Sequence, residues 1–141
     1  MEILSNCKLS RRLFEQLDER FPHQDETNNS IRDRAVEIVR FFLLTQNKNT
    51  RFYDRPKKKG ADLSYEVNNE IINIEIKGTK DDDISWDKLK VSGKPSCKGI
   101  KDGWPVYRVT GVFNSNPRIY VLKHKVDFEL IREPRWRFRK I

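Results

Sequence analysis

The stretch ADLSYEVNNEIINIEIKGT, residues 61–79, constrains the fold of this chain more than any other. Two segments rich in β-branched and aromatic residues flank Asn68 and Asn69. Such a pair suits a two-residue hairpin turn. With these two residues as the turn, Val67 faces Glu70, Tyr65 faces Ile72, Leu63 faces Ile74 and Asp62 faces Glu75. Alternation along a strand then sorts the side chains onto two faces. Leu63, Tyr65, Ile72, Ile74 and Ile76 share one face, which should be core. Asp62, Ser64, Asn73, Glu75 and Lys77 share the other. The apolar set pins the register, because a slip of one residue would turn it to solvent.

The polar face sets a chemical problem. Residues directly opposed across an antiparallel pair have Cβ atoms about 4.5–5.5 Å apart, and like charges at that distance weaken a sheet. A hard divalent cation between Asp62 and Glu75 reverses the sign. Mg²⁺ takes oxygen ligands and commonly only one or two protein carboxylates. The Ile76 carbonyl is a third candidate ligand. Such an ion polarises a phosphoryl oxygen and acidifies bound water. Lys77, beside Glu75, is placed to orient that water or to stabilise charge growing on a phosphate. The competing reading is a solvated strand face with a weak Glu75–Lys77 pair.

The rest of the chain supplies the context. SRRLFEQLDERFP reads as a first helix, with Ser10 as cap, Leu13, Phe14, Leu17 and Phe21 on one face, and Pro22 as stop. A second helix is expected from about Ile31 to Thr45, its start marked by Ser30 and Asp33 as a variant capping box. A short strand is expected at Arg51–Tyr53, and a second strand pair at VYRVTGVF and RIYVLKH, around NSNP. Residues 86–91 suit either a short helix or a strand, followed by a basic loop. VDFELI suits either another strand or a helix, and REPRWRFRKI is a basic aromatic tail whose Trp136 and Phe138 dock on the core, join a dimer contact or stack on bases. The sum is a mixed α/β or α+β domain around one sheet.

The Asp62, Glu75-Ile76-Lys77 pattern on a hairpin resembles the PD-(D/E)XK nuclease superfamily, whose pattern is an Asp at one strand and (D/E)-x-K on the next. The tripeptide alone is uninformative, since 21 acids and 15 lysines generate about two by composition. The likeness rests on strand context, hairpin spacing, the facing Asp62 and the upstream helix. It covers about residues 30–80. GAD stands where a Pro commonly precedes the Asp. Members often carry an acid on the helix before the hairpin, and Glu37 matches that position. The resemblance implies a restriction-endonuclease-like core, a mixed central β-sheet flanked by helices. It implies a single domain over 1–141, with a helical extension at 1–28, the core at 29–125 and the tail at 126–141. It also implies Mg²⁺-dependent hydrolysis of DNA phosphodiesters, in restriction, defence or DNA processing, with Mn²⁺ able to substitute. Asp62 and Glu75, with the Ile76 carbonyl, would hold the metal, Lys77 would position water, and Glu37 would assist through metal or water.

Charge points the same way. Lys and Arg number 29 against 21 Asp and Glu, a formal net charge of +8, which favours a polyanion. Lys57, Lys58 and Lys59 lead into Asp62 and are candidates for the DNA backbone, as are Lys88, Lys90 and Arg108. The alternatives that stay open are a non-cleaving nucleic-acid-binding module of the same fold, a Holliday-junction-resolvase-like nuclease, and a structural protein charged for solubility. Cleavage of a duplex or a junction favours a homodimer. The short chain leaves sequence specificity modest or to a partner protein. Two cysteines and two histidines lack zinc-ligand spacing. No signal-peptide core and no long apolar run stand out, so the expectation is a cytoplasmic protein that does not enter a membrane.

Overall fold

A computed structural model describes residues 1–4, 7–23, 26–133 and 135–141. Its elements are β1 (Glu2–Leu4), α1 (Arg11–Arg20), α2 (Asn28–Gln46), β2 (Arg51–Phe52), β3 (Leu63–Val67), β4 (Glu70–Gly78), β5 (Lys90–Val91), α3 (Lys94–Lys101), β6 (Val106–Thr110), β7 (Arg118–Leu122), β8 (Phe128–Glu133) and β9 (Arg135–Lys140), with a 3₁₀ turn at Trp86–Lys88. The fold is mixed α+β. A six-stranded sheet runs β1-β7-β6-β4-β3-β2, and a separate three-stranded sheet runs β5-β9-β8. Strands β4 and β6 pair in parallel, with Glu75 beside Val106 and Lys77 beside Arg108; the other strand pairs among the described residues are antiparallel.

The hairpin forms in the expected register as far as Leu63 and Ile74, where the ladder ends; the expected pairing of Asp62 with Glu75 is not part of it. Leu63 pairs with Ile74, Tyr65 with Ile72 and Val67 with Glu70. Asn68 and Asn69 have φ of 51° and 64°, the paired left-handed geometry of the turn that matches strand twist. Ile74 and Ile76 are buried with Tyr107, Val109 and Ile119 under α1 and α2, where Leu17, Ala35, Ile38 and Val39 complete a first core. Each buried Ile, Leu or Val among them contributes about 1.5–3 kcal/mol. Gly78 lets α2 settle on the end of β4: a Cβ there would lie 2.8 Å from the Ala35 Cβ.

The opposite face of the large sheet carries a second core. Val106, Tyr120 and Leu122 pack with Leu89, Val91, Cys97, Ile100, Phe128, Leu130 and Phe138. The small sheet and α3 therefore cover the face that holds Glu75 and Lys77, and the expectation of one sheet is corrected to two. The basic loop expected after residue 91 contains α3. Its Pro95 and Gly99 read as loop residues, yet Pro suits a first helical turn. Gly99 is needed because a Cβ there would lie 2.1 Å from the Trp104 ring. VDFELI and the aromatic tail form β8 and β9, with the Phe128 and Phe138 rings 4.4 Å apart. The second helix starts one turn earlier than expected, capped by Thr27, whose hydroxyl accepts from the Ser30 N–H at 3.2 Å. Among the described residues no helix is long and apolar enough to cross a membrane.

Candidate active site

The β3–β4 ladder ends at Leu63 and Ile74, and its ending creates the site. Continued regularly, the ladder would pair residue 61 with Ile76. Instead the Asp62 N–H doubles back to the Ile74 carbonyl at 2.9 Å. The vacated Ile76 N–H donates to Asp62 Oδ2 at 2.8 Å. This bulge turns the Asp62 side chain inward onto β4, next to Glu75, and backbone bonding holds it there.

Glu75 is 3% exposed, which removes the reading of a solvated strand face. Its Oε1 lies 3.9 Å from Lys77 Nζ. Its Oε2 is buried with no hydrogen-bond partner among the described residues. Burial, reinforced by hydrogen bonding to and repulsion from the Asp62 carboxylate, pushes the Glu75 carboxyl up to about 9; Lys77 and Arg32 oppose the rise. Burial beside a second carboxylate therefore favours the neutral form of Glu75.

Asp62, Ile76 and Lys77 open into a cleft of about 490 Å³ at the C-terminal end of β4. Its walls come from the start of α2 (Asn28, Asn29, Arg32), the segment Gly78–Lys80, and Lys88 and Lys90. The rim is strongly cationic. Lys80 is tied to Glu26 at 2.7 Å and Lys88 to Asp81 at 2.7 Å. The Lys88 ammonium and the Ser85 hydroxyl hold the Asp81 carboxyl down at about 2. Asp81, Asp82 and Asp83 bond locally to Ser85, Lys88 and Asn114, as a loop scaffold.

The candidates thus separate. Asp62, Glu75, Ile76 and Lys77 come together, with Lys88 and Lys90 on the cleft wall. Glu37 does not join them. It pairs with Arg40 at 3.4 Å, and no group of three or more His, Cys, Asp or Glu placed to hold a metal occurs among the described residues. The α2 residue that reaches the site is Arg32, whose Nη2 is 3.3 Å from Asp62 Oδ1. Five residues along a helix rotate a side chain by about 140°, so Arg32 and Glu37 face different ways. Arg108, expected on phosphate, lies on the cleft floor but is 2% exposed. Its guanidinium donates to the carbonyls of Ile84 at 2.8 Å, Gly78 at 3.1 Å and Ser85 at 3.5 Å, which fastens the loop after β4. Lys57 Nζ sits 4.4 Å over the Tyr53 ring. Lys58 and Lys59 line a different groove, beside α3.

Arg32, Asn28, Asn29 and Lys80 are among the cleft residues that the sequence did not reveal. The clue was Gly78: a glycine ending an isoleucine strand marks a close helix approach, which puts the first turns of α2 over that strand end. Compared with known proteins, the chain matches no family model, no curated protein and no solved structure.

The donor set fits a hard cation. A buried carboxylate oxygen without a donor, a second carboxylate beside it and a nearby backbone carbonyl are the oxygen ligands that Mg²⁺ or Mn²⁺ prefers. One change is needed for the fit, since Arg32 shares the outer Asp62 oxygen.

Proposed function

We propose that the protein is a metal-dependent endonuclease of the PD-(D/E)XK type, hydrolysing DNA phosphodiesters at the cleft beside Asp62. One observation carries the reading: Glu75 is buried against a second carboxylate, with an oxygen that no donor among the described residues satisfies, beside a lysine, under a cationic rim. A purely structural carboxyl in that position is destabilising. Asp62 and Glu75 would hold the ion, with the Ile76 carbonyl as a third ligand. A bound Mg²⁺ supplies Lewis-acid polarisation of the phosphate and an acidified water. Lys77, half-buried at the mouth, orients the attacking water or meets the charge that develops on phosphate oxygen. Lys88 and Lys90 hold the strand by its backbone. The Ile76 N–H bond to Asp62 pre-sets one ligand, so binding need not order that side chain.

One observation favours a second reading, a non-cleaving nucleic-acid-binding module of the same fold. The helix before the hairpin brings Arg32, not an acid, to Asp62. A panel of plasmid, linear, single-stranded and branched DNA with Mg²⁺, with EDTA and with Lys77→Ala separates the two. Mg²⁺-dependent cuts that vanish in Lys77→Ala while DNA binding persists support the nuclease. Salt-sensitive binding without cleavage of any substrate supports the module.

A further inference from the structure

Beyond the cleft, α3 carries Lys94, Lys98 and Lys101 at i, i+4 and i+7, a spacing that puts all three on one side of the helix. With Arg132 and Trp136 they line a groove of about 600 Å³, in which Asp102 is the carboxylate found among the described lining residues. The four cations are exposed and Trp136 is half-buried. Lys98 meets Asp102 at 2.7 Å, and Lys101 Nζ lies 3.9 Å from the Trp136 ring centroid. An ordinary solvated helix face interleaves both signs of charge. Here α3 contains no acid at all, and the cations collect in a concavity, where low-dielectric walls concentrate the potential.

The groove is also continuous with other basic ground. It shares Lys98 and Asp102 with the smaller groove that contains Lys58 and Lys59. On its other side Ser92 follows the two-residue strand β5, whose Lys90 lines the cleft. The basic ground therefore passes round α3 with both ends near Asp62. From Lys94 to Lys101 the helix rises about 10 Å, close to three steps of a nucleic-acid strand at about 3.4 Å each.

We propose that the α3 groove is a second binding surface, for the phosphodiester backbone of nucleic acid that extends past the cleft. The assignment of nucleic acid rests on the nuclease reading, whereas the groove needs no catalysis to act.

The test is the salt dependence of binding, measured in EDTA by fluorescence anisotropy. It uses one duplex long enough to reach α3 and one that covers only the cleft. Lys94→Ala/Lys98→Ala/Lys101→Ala should lower the slope of log K against log salt by about 2 to 3 on the long duplex, at about 0.9 per lost phosphate contact. The short duplex should show no change, and the matching triple Lys→Arg variant should keep the wild-type slope. An unchanged slope on the long duplex, in a variant of normal thermal midpoint, overturns the proposal. So does a variant that keeps the long duplex and instead loses poly-glutamate, which would assign the groove to an acidic protein. A lowered slope in a protein that cuts nothing would sink the nuclease reading and leave this surface standing.

Discussion

Arg34 and Glu75 are both buried ionisable groups, on opposite sides of the same sheet, and they are treated in opposite ways. Arg34 is fully buried. Its Nε donates to the Val112 carbonyl at 2.8 Å, and its Nη1 to Asp18 at 2.8 Å and the Phe21 carbonyl at 3.0 Å. Phe14 and Phe113 flank the guanidinium carbon at 5.6 Å and 5.1 Å, and of its three nitrogens Nη2 alone lacks a hydrogen-bond partner among the described residues. That cation ties α1 to the turn after β6. Glu75 has a lysine at 3.9 Å, a second carboxylate for a neighbour and an oxygen with no donor among the described residues. Burial of charge alone does not mark function here. What marks the candidate site is a buried charge that the fold leaves incomplete.

Substitutions should expose that contrast. Arg34→Ala leaves Asp18 and two carbonyls unpaired and should cost about 3–5 kcal/mol in denaturant unfolding, with DNA and metal binding unchanged in the folded fraction. Lys77→Ala should do the reverse. On the proposed reading it lowers cleavage about 10²–10³-fold, the worth of one charge-stabilising group, while the thermal midpoint moves little. If Lys77→Ala unfolded the protein as Arg34→Ala does, the two charges would be equivalent and the contrast would fail.

The hairpin was legible because three local signals agreed: alternation, β-branched composition and a turn pair suited to positive φ. The nearness of Asp62 to Glu75 followed from that register. The way Asp62 is held did not, because it depends on where the ladder breaks. The second layer was hidden for a related reason. Gly99 looks like a helix breaker until Trp104 is seen against it, and those two meet only in the folded chain. β9 alternates like a strand, but its partners β5 and β8 are short or ambiguous and lie far apart in sequence. Glu37 was favoured because the resemblance implies an acid on that helix, and Arg32 was missed because the sequence does not show that Gly78 meets Ala35, the contact that brings the first turns of α2 over the end of β4.

Glu75→Gln tests the cost of the incomplete charge. A carboxyl raised in the folded state binds its proton more tightly there than in the unfolded chain, so it lowers stability as pH rises from its ordinary value of 4.5 towards about 9. Without metal, the amide variant should be more stable than the parent at pH 8, on the order of 1–3 kcal/mol, and close to it at pH 4. The check is the pH dependence of unfolding in EDTA. A flat difference across that range would mean that Glu75 is not held in its neutral form. Excess Mg²⁺ should narrow the gap at pH 8, because it binds the folded parent and has lost a ligand in the variant.

The smallest effect concerns Arg32, where the two kinds of charge meet. Its guanidinium is half-exposed and rests on the outer oxygen of Asp62, an ion pair that in such a setting stabilises by about 0–1 kcal/mol. Removing it costs the fold almost nothing, so the thermal midpoint of Arg32→Ala should stay near that of the parent. The pair does, however, occupy a carboxylate oxygen that a cation needs. Arg32→Ala should therefore bind Mn²⁺ a few-fold more tightly by calorimetry, by no more than the free energy of the lost pair. Nucleic-acid affinity should move the other way, as one positive charge leaves the cleft wall. Metal affinity that fell in Arg32→Ala would mean that the arginine helps to assemble the site, and Asp62 would then resemble Arg34, a charge completed by its own fold.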